Sequence, residues 1–137
     1  MTEKTRDGSA ANDHWGTPKW LYDKLDEEFL FDFDPCPLHA DFNGLACDWG
    51  WRNFVNPPYN KIDKPKFIAA ARAWQLRGRT SVLLIPAATS TKQFHEVILP
   101  NAEVRFLKGR VKFVSPLSKG VGKHDSMVVI FRGIQNV

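Results

Sequence analysis

The tetrapeptide Asn56-Pro57-Pro58-Tyr59 carries the clearest chemical signal in the sequence. An aromatic amine such as adenine N6 is a poor nucleophile, because its nitrogen lone pair is delocalised into the ring. Two hydrogen-bond acceptors aimed at its N–H bonds favour a more tetrahedral nitrogen, whose lone pair can attack an electrophile. The Asn56 side-chain oxygen can be one acceptor, and the carbonyl of Pro57, a residue without an N–H, can be the other. The tetrapeptide therefore predicts activation of a planar amine.

The two prolines and Tyr59 add to this prediction. Consecutive prolines stiffen the loop, so the acceptor oxygens are held in place before a substrate arrives. Tyr59 offers a flat face on which a base removed from its duplex can stack. A rigid turn without function is the competing interpretation of so short a motif. The motif directly follows a predicted strand, where open α/β sheets place their ligands, and this position favours function.

Hydrophobic periodicity predicts the elements that position this loop. Thr17 and Pro18 are typical of a helix start, as the cap and the first helical residue. Ser90 and Gln93 have the spacing of a capping box before another helix. The predicted helices cover 18–28, 65–76 and a segment after 93, and the predicted strands cover 30–34, 53–55, 80–86, 103–107 and 126–132.

Strands that alternate with helices indicate an α/β domain with a mostly parallel sheet and helices on both faces. No helix separates the last two strands, so we expect an antiparallel C-terminal edge. A length of 137 residues fits one domain. We expect it to span 13–137, after a polar and mobile segment at 1–12.

Composition limits the classes of protein open to the chain. Hydrophobic residues make up 43% and charged residues 25%, as in ordinary globular domains. No apolar run could span a bilayer and the N-terminus lacks a secretory signal, so a cytoplasmic protein without membrane contact is expected. Two cysteines and four scattered histidines lack metal-ligand spacing, so no metal site is predicted.

The charge distribution is compatible with a polyanionic partner. The net charge is +4, and the segment 92–132 holds eight Lys and Arg residues against three acidic ones. Many proteins without a nucleic acid partner have a similar excess. The C-terminal third is therefore a candidate, and no more than that, for contact with nucleic acid.

Taken together, these segments resemble the phage-type DNA N-6-adenine methyltransferases, the phage Dam family. The resemblance covers about residues 13–133. The segments that carry it, in chain order, are His14-Trp15-Gly16-Thr17-Pro18, Asp32-Phe33-Asp34-Pro35-Cys36, Asn43-Gly44-Leu45-Ala46-Cys47-Asp48-Trp49, Asn56-Pro57-Pro58-Tyr59, Gly109-Arg110-Val111-Lys112-Phe113 and Ser126-Met127-Val128-Val129-Ile130-Phe131.

The resemblance implies S-adenosylmethionine as methyl donor, adenine N6 in DNA as acceptor and a phage or prophage origin. It also implies a reduced Rossmann-like fold, since only about twenty residues separate Asp34 from Asn56 and no G-x-G fingerprint is present. The residues implied in cofactor binding are Trp15, Thr17, Pro18, Asp34, Pro35, Cys36 and Asp48. Without a separate recognition domain, DNA contact is expected from loops, through Asn60, Lys61, Arg110, Lys112, Lys119 and Lys123.

Several alternatives remain open from the residues. Cys36 could suggest a C5-cytosine methyltransferase, but that thiolate is expected after the strand that here carries Asn56. The same amine chemistry would serve N4 of cytosine, an RNA base or a glutamine side chain. A non-catalytic DNA-binding module is a further alternative, which cofactor binding would exclude. A homodimer would give so small a domain more grip on its substrate.

Overall fold

A four-stranded sheet forms the centre of the molecule. The structure, a computed structural model, describes residues 16–113 and 124–135; the expected mobile segment 1–12 and the predicted site residues Trp15, Lys119 and Lys123 lie outside these ranges. The strands are β1 (Arg52–Val55), β2 (Thr80–Pro86), β3 (Glu103–Phe106) and β4 (Ser126–Phe131), and their order across the sheet is β1-β2-β4-β3.

The sheet is mixed, so the expectation of a mostly parallel sheet is only partly met. β1 pairs with β2 in parallel, whereas β4 pairs antiparallel with both β2 and β3. β1, β2 and β3 therefore run in one direction and β4 alone is reversed. The antiparallel pairing predicted for the last two strands is present, but β4 is inserted between β2 and β3, so the edge strand is β3 and not the C-terminal strand. With all six of its residues buried, β4 is a central strand.

Helices cover both faces, as predicted. α1 (Lys19–Phe29) packs on one face, where Leu21, Leu25 and Phe29 meet alternate residues of β2 and β4. α2 (Asp63–Gln75) covers the other face together with α3, which comprises a π-helical turn (Phe94–Ile98) and a short α-helical segment (Leu99–Asn101). Because the side chains of a strand alternate, β2 sends Val82 and Leu84 to the first face and its intervening residues to the second.

Two local predictions were wrong in instructive ways. The expected strand at 30–34 is reduced to a single parallel bridge between Phe33 and Asn53, because Leu30 adopts a left-handed conformation (φ 54°) at the end of α1. The predicted capping box is shifted by one residue, since the Thr91 hydroxyl, and not that of Ser90, accepts a hydrogen bond from the Phe94 amide. Gly78 ends the region of α2 with a φ of 87°, as its position predicted.

Gln75 ties three parts of the fold together at the end of α2. Its side chain is buried, and its Nε2 donates to the carbonyls of Asn101 and Arg132 at 2.9 and 3.1 Å. Its Oε1 accepts a hydrogen bond from Arg72. Removing this buried amide would take the donor away from two carbonyls at once, and leaving such acceptors unpaired is the costly way to lose a hydrogen bond.

We therefore expect Gln75→Ala to lower the free energy of unfolding by about 2 kcal/mol, as measured by urea denaturation. Gln135→Ala is the matched control, because Gln135 is exposed and the same truncation there should change the value by less than about 0.5 kcal/mol. Equal effects of the two variants would contradict the structural role given to Gln75.

Candidate active site

The Asn56–Tyr59 loop begins where β1 ends, and its first residue is held by the start of α1. The Asn56 side chain is buried, with 6% exposure, and its Nδ2 donates to the Thr17 hydroxyl at 3.0 Å. Thr17 was expected to cap α1, but Pro18 occupies the N-cap position, no side chain caps the helix, and the Pro18 carbonyl accepts hydrogen bonds from the first turn. The Thr17 hydroxyl is thus used to orient the Asn56 amide.

A small cavity lies beside Asn56, at the carboxyl end of β1. Its volume is about 160 Å³, and it is lined by Gly16, Thr17, Tyr22, Asp34, Cys36, Leu38, Phe54 and Asn56. Four of the predicted site residues thus come together, namely Thr17, Asp34, Cys36 and Asn56. The parallel bridge between Phe33 and Asn53 explains this meeting, since it places the residues after each of them side by side.

Asp34 is the charged group of this cavity. Its Oδ1 accepts a hydrogen bond from the Cys36 amide at 2.8 Å, which closes a tight turn. Burial raises the pKa of the Asp34 carboxyl from its usual 3.8 to about 6, and the bond from Cys36 offsets only part of this rise. A carboxylate desolvated in this way favours a cationic ligand group beside it.

The segment 43–50 supports the Asp34–Cys36 turn from behind. Gly44 approaches the turn so closely that an added Cβ would lie 1.7 Å from the Pro35 carbonyl oxygen. The buried Trp49 fixes Gly44 in this position, because its indole Nε1 donates to the Gly44 carbonyl at 2.7 Å. The close packing of these two loops therefore explains why a glycine stands at position 44 and a tryptophan at position 49.

Tyr59 is held more firmly than the sequence indicated. Its hydroxyl donates to the Leu84 carbonyl at 2.8 Å, and its ring meets the Phe113 ring edge-on at a centroid distance of 5.8 Å. Burial raises the pKa of the Tyr59 phenol, so it remains a neutral donor. The hydroxyl is thus occupied within the sheet, and what Tyr59 presents to a ligand is part of its ring.

That ring contributes to a second, larger cavity of about 730 Å³ between the start of α2 and α3. Its lining includes three lysines, Lys61, Lys64 and Lys92, together with His124 and one carboxylate, Glu96. Burial lowers the pKa of Lys64, which is the lysine most removed from water. Lys61 and Lys64 belong to the loop 60–64, from which the sequence predicts DNA contact, whereas Lys92 was not predicted as a site residue.

The other predicted residues are placed less centrally. Pro35 and Pro57 are buried, and Asp48 is exposed and absent from the lining of both cavities. Arg110 and Lys112 are also exposed and line neither cavity, and Arg110 lies 3.4 Å from Asp125. Tyr22 and Leu38 also line the smaller cavity, and the sequence had not predicted them as site residues.

Asn60 has a structural role in addition to its position in the larger cavity. Its Oδ1 accepts hydrogen bonds from the amides of Ile62 and Asp63 at 3.0 and 2.7 Å, and its Nδ2 donates to the Asp63 carboxylate. These bonds satisfy amides at the start of α2. Sequence reasoning predicted only a DNA contact for this residue.

Part of the basic excess in the C-terminal third is neutralised within the fold. Arg105 makes a paired contact with Glu28 at 2.7 and 2.8 Å, and Arg132 contacts Glu103 at 2.8 Å. The guanidinium groups lower the pKa of both carboxyls through these hydrogen bonds. These arginines therefore serve the edge of the sheet beside α1.

Across residues 16–113 and 124–135, no helix is long and apolar enough to cross a bilayer. In the same ranges, no group of three or more His, Cys, Asp or Glu side chains is arranged to hold a metal ion.

We expect Gly44→Ala to lower the free energy of unfolding by about 1–3 kcal/mol, because the added methyl group overlaps the Pro35 carbonyl and displaces one loop. Gly109→Ala is a useful comparison, since its methyl group meets nothing within 4 Å and only the φ of 75° opposes it. Urea denaturation measures both. A Gly44→Ala protein as stable as the parent would show that the two loops are not in close contact.

Comparison with known proteins identifies the family. The family model described as DNA N-6-adenine-methyltransferase (Dam) matches residues 4–136. The DNA N-6-adenine-methyltransferase of Haemophilus phage HP1 (strain HP1c1) is 26% identical over 129 residues, and the match covers 84% of this chain and 74% of the phage protein. No solved structure matches the chain. Because the family model spans nearly the whole sequence, the chain belongs to the DNA N-6-adenine-methyltransferase (Dam) family.

Proposed function

We propose that S-adenosylmethionine is the donor, and the Asn56–Tyr59 loop the catalytic element, when this chain methylates adenine N6 in DNA. Methylation of adenine N6 in DNA is the activity of the family, so the proposal concerns the donor and the residues. The observation that carries it is the meeting of Asn56, Thr17 and Asp34 in one cavity at the carboxyl end of β1. Membership of this family argues against the alternatives, namely methylation of N4-cytosine, of an RNA base or of a glutamine side chain, and a non-catalytic DNA-binding module.

The smaller cavity fits the reactive part of the donor. S-adenosylmethionine carries an ammonium and a sulfonium cation, and the half-buried Asp34 carboxylate is a suitable partner for a cation. Cys36, Leu38 and Phe54 give the same cavity an apolar wall for an aliphatic chain. A volume of about 160 Å³ is below the roughly 300 Å³ usual for ligand sites, so the adenosine part lies beyond it, in a shallow position.

Asn56 activates the acceptor. When bound, S-adenosylmethionine supplies an electrophilic methyl group. The Asn56 amide, oriented by Thr17, and the Pro57 carbonyl accept hydrogen bonds from the adenine amine, which concentrates the lone pair on the nitrogen. The stiff Pro57-Pro58 pair keeps both acceptors in position, so little reorganisation is needed during transfer.

The larger cavity suits the nucleic acid. The Tyr59 ring forms part of its wall, and an adenine removed from the duplex can rest against the exposed part of that ring. Lys61, Lys64 and Lys92 supply positive charge along the same cavity for the phosphates that flank the target. Arg110 and Lys112 remain proposed phosphate contacts on the exposed surface outside it.

We also propose that the sheet is a reduced Rossmann-like sheet. The direction of the strands supports this proposal: β1, β2 and β3 run in one direction, and the segment at Phe33 forms a parallel bridge with β1. Helices cover both faces of the sheet. Asp34 and Asn56 then follow neighbouring parallel segments at their carboxyl ends, which is where such sheets bind ligands.

Asn56→Ala should reduce methyl transfer by about 100-fold or more, because one of the two acceptors is lost, while cofactor binding remains close to that of the parent. The measurement is transfer of label from radiolabelled S-adenosylmethionine to unmethylated duplex DNA, with the labelled nucleoside identified after digestion. Asn101→Ala is the matched control at the end of α3. Near-normal turnover by Asn56→Ala would refute the mechanism.

We expect Asp34→Asn to stabilise the folded protein at high pH and to weaken the binding of S-adenosylmethionine. Because the folded pKa of about 6 exceeds the usual 3.8, Asp34 contributes most to stability when protonated, below about pH 4, and this contribution is lost as the pH rises through 6. At pH 8 the neutral amide should therefore raise the free energy of unfolding by up to about 3 kcal/mol. The same variant should bind S-adenosylmethionine more weakly.

The pH dependence of binding tests the same charge. If only the ionised carboxylate of Asp34 pairs with the donor, the Kd should fall by about tenfold between pH 5 and pH 7, because the ionised fraction rises by that factor around a pKa of 6. Calorimetric titration of S-adenosylmethionine measures it. The Asp34→Asn protein should show no such slope, and an equal slope in both proteins would assign it to another group.

A further inference from the structure

Ile62 is an aliphatic side chain displayed to solvent six residues after Asn56. It is 66% exposed, the highest value among the large exposed hydrophobic side chains of the described residues. Exposed apolar side chains are common when scattered singly, and exposure alone is not informative. The position is informative, because Ile62 lies in the loop that joins the catalytic tetrapeptide to α2.

The loop around Ile62 is built to be rigid. The Asn60 side chain accepts hydrogen bonds from the Ile62 and Asp63 amides, and the Lys64 amide donates to the Asn60 carbonyl at 3.3 Å. The backbone of Ile62 is therefore fixed on both sides, and Ile62 forms the N-cap residue of α2. A fixed backbone presents the side chain in a defined place and lowers the entropy lost on binding.

The surroundings of Ile62 are positively charged. Lys61 precedes it in the chain, and Lys61, Lys64 and Lys92 line the larger cavity beside the loop. Glu96 lines the same cavity, and Asp63 is held by the Asn60 amide. Three lysines against these two carboxylates make the surface complementary to a phosphate backbone, so a duplex that docks there lies next to the loop that carries Ile62.

We propose that Ile62 is a wedge that enters the base stack and occupies the space left by the extruded adenine. The inference rests on the proposed function, since it requires a duplex whose target base is turned into the Tyr59 side of the loop. Removing a base from a duplex costs stacking and pairing energy, and an inserted apolar side chain recovers part of this loss. Ile62 is thereby a positioning residue, which acts on the duplex and not on the reacting amine.

Leu76 provides a control within the same helix. It forms the C-cap of α2, at the opposite end from the active site, and is 53% exposed. Truncation of Leu76 removes similar exposed apolar surface from the same element. Any effect specific to Ile62→Ala therefore reflects its place beside the catalytic loop, and not a general loss of helix stability.

The test uses the intact protein and two duplexes. Radiolabelled transfer into unmethylated plasmid DNA first locates the methylated adenine, and short duplexes containing it then carry either its normal partner or a mismatched base opposite. We expect Ile62→Ala to reduce kcat/KM about tenfold on the paired duplex and much less on the mismatched one, where extrusion costs little. Ile62→Leu should restore activity on the paired duplex, and Leu76→Ala should leave both substrates near the parent level.

A second readout follows extrusion without turnover. A duplex with 2-aminopurine at the target position gains fluorescence when that base leaves the stack, and the gain should be smaller for Ile62→Ala than for Leu76→Ala. If Ile62→Ala slows both duplexes equally, or leaves the fluorescence gain intact, the wedge is refuted and the proposed function stands. If the parent protein methylates no DNA at all, the proposed function fails and the wedge fails with it.

Discussion

The hydrogen bond between the Asn56 amide and the Thr17 hydroxyl is the contact on which the site depends. It joins the end of β1 to the residue that precedes the cap of α1, across 39 positions of sequence. The same two elements share a hydrophobic cluster, in which Phe54 of β1 packs with Leu21 and Leu25 of α1. Packing of α1 against the sheet thus sets the plane of the Asn56 amide before any ligand binds. Preorganisation of this kind is what an acceptor needs if it is to act without reorganisation.

A second buried amide fixes the other end of β1. Asn53 Nδ2 donates to the carbonyls of Gly50 and Thr80 at 3.0 Å each, and its Oδ1 accepts from the Gly50 amide at 2.7 Å. Only Phe54 and Val55 separate this anchor from Asn56. A strand of four residues can therefore position a catalytic loop, because buried polar contacts restrain it at both ends and the sheet restrains it between them.

The sequence was most informative where a residue pattern reflects its own local structure. α1, α2 and β2 were predicted to within a few residues, since their apolar periodicity is strong. Asn56 and Asp34, which the sequence singled out separately, line one cavity. The position of β4 in the sheet could not be predicted, because strand order depends on long-range pairing. Thr17 was assigned to a helix cap for a similar reason, since its actual partner lies in another element.

Three groups that violate ordinary burial rules lie on the side of the molecule that we propose to be functional. Asp34 is a desolvated carboxylate, Lys64 is a half-buried amine and Ile62 is an exposed aliphatic side chain, and all three follow the carboxyl ends of β1 or of the segment beside it. Arg105 and Arg132, by contrast, pair with acidic residues at the far edge of the sheet. We therefore propose that the positive charge relevant to DNA includes the lysines around the Asn56–Tyr59 loop as well as the exposed Arg110 and Lys112. Among these lysines Lys64 is half-buried, so its charge is less screened by water than the charges of the exposed Lys61 and Lys92.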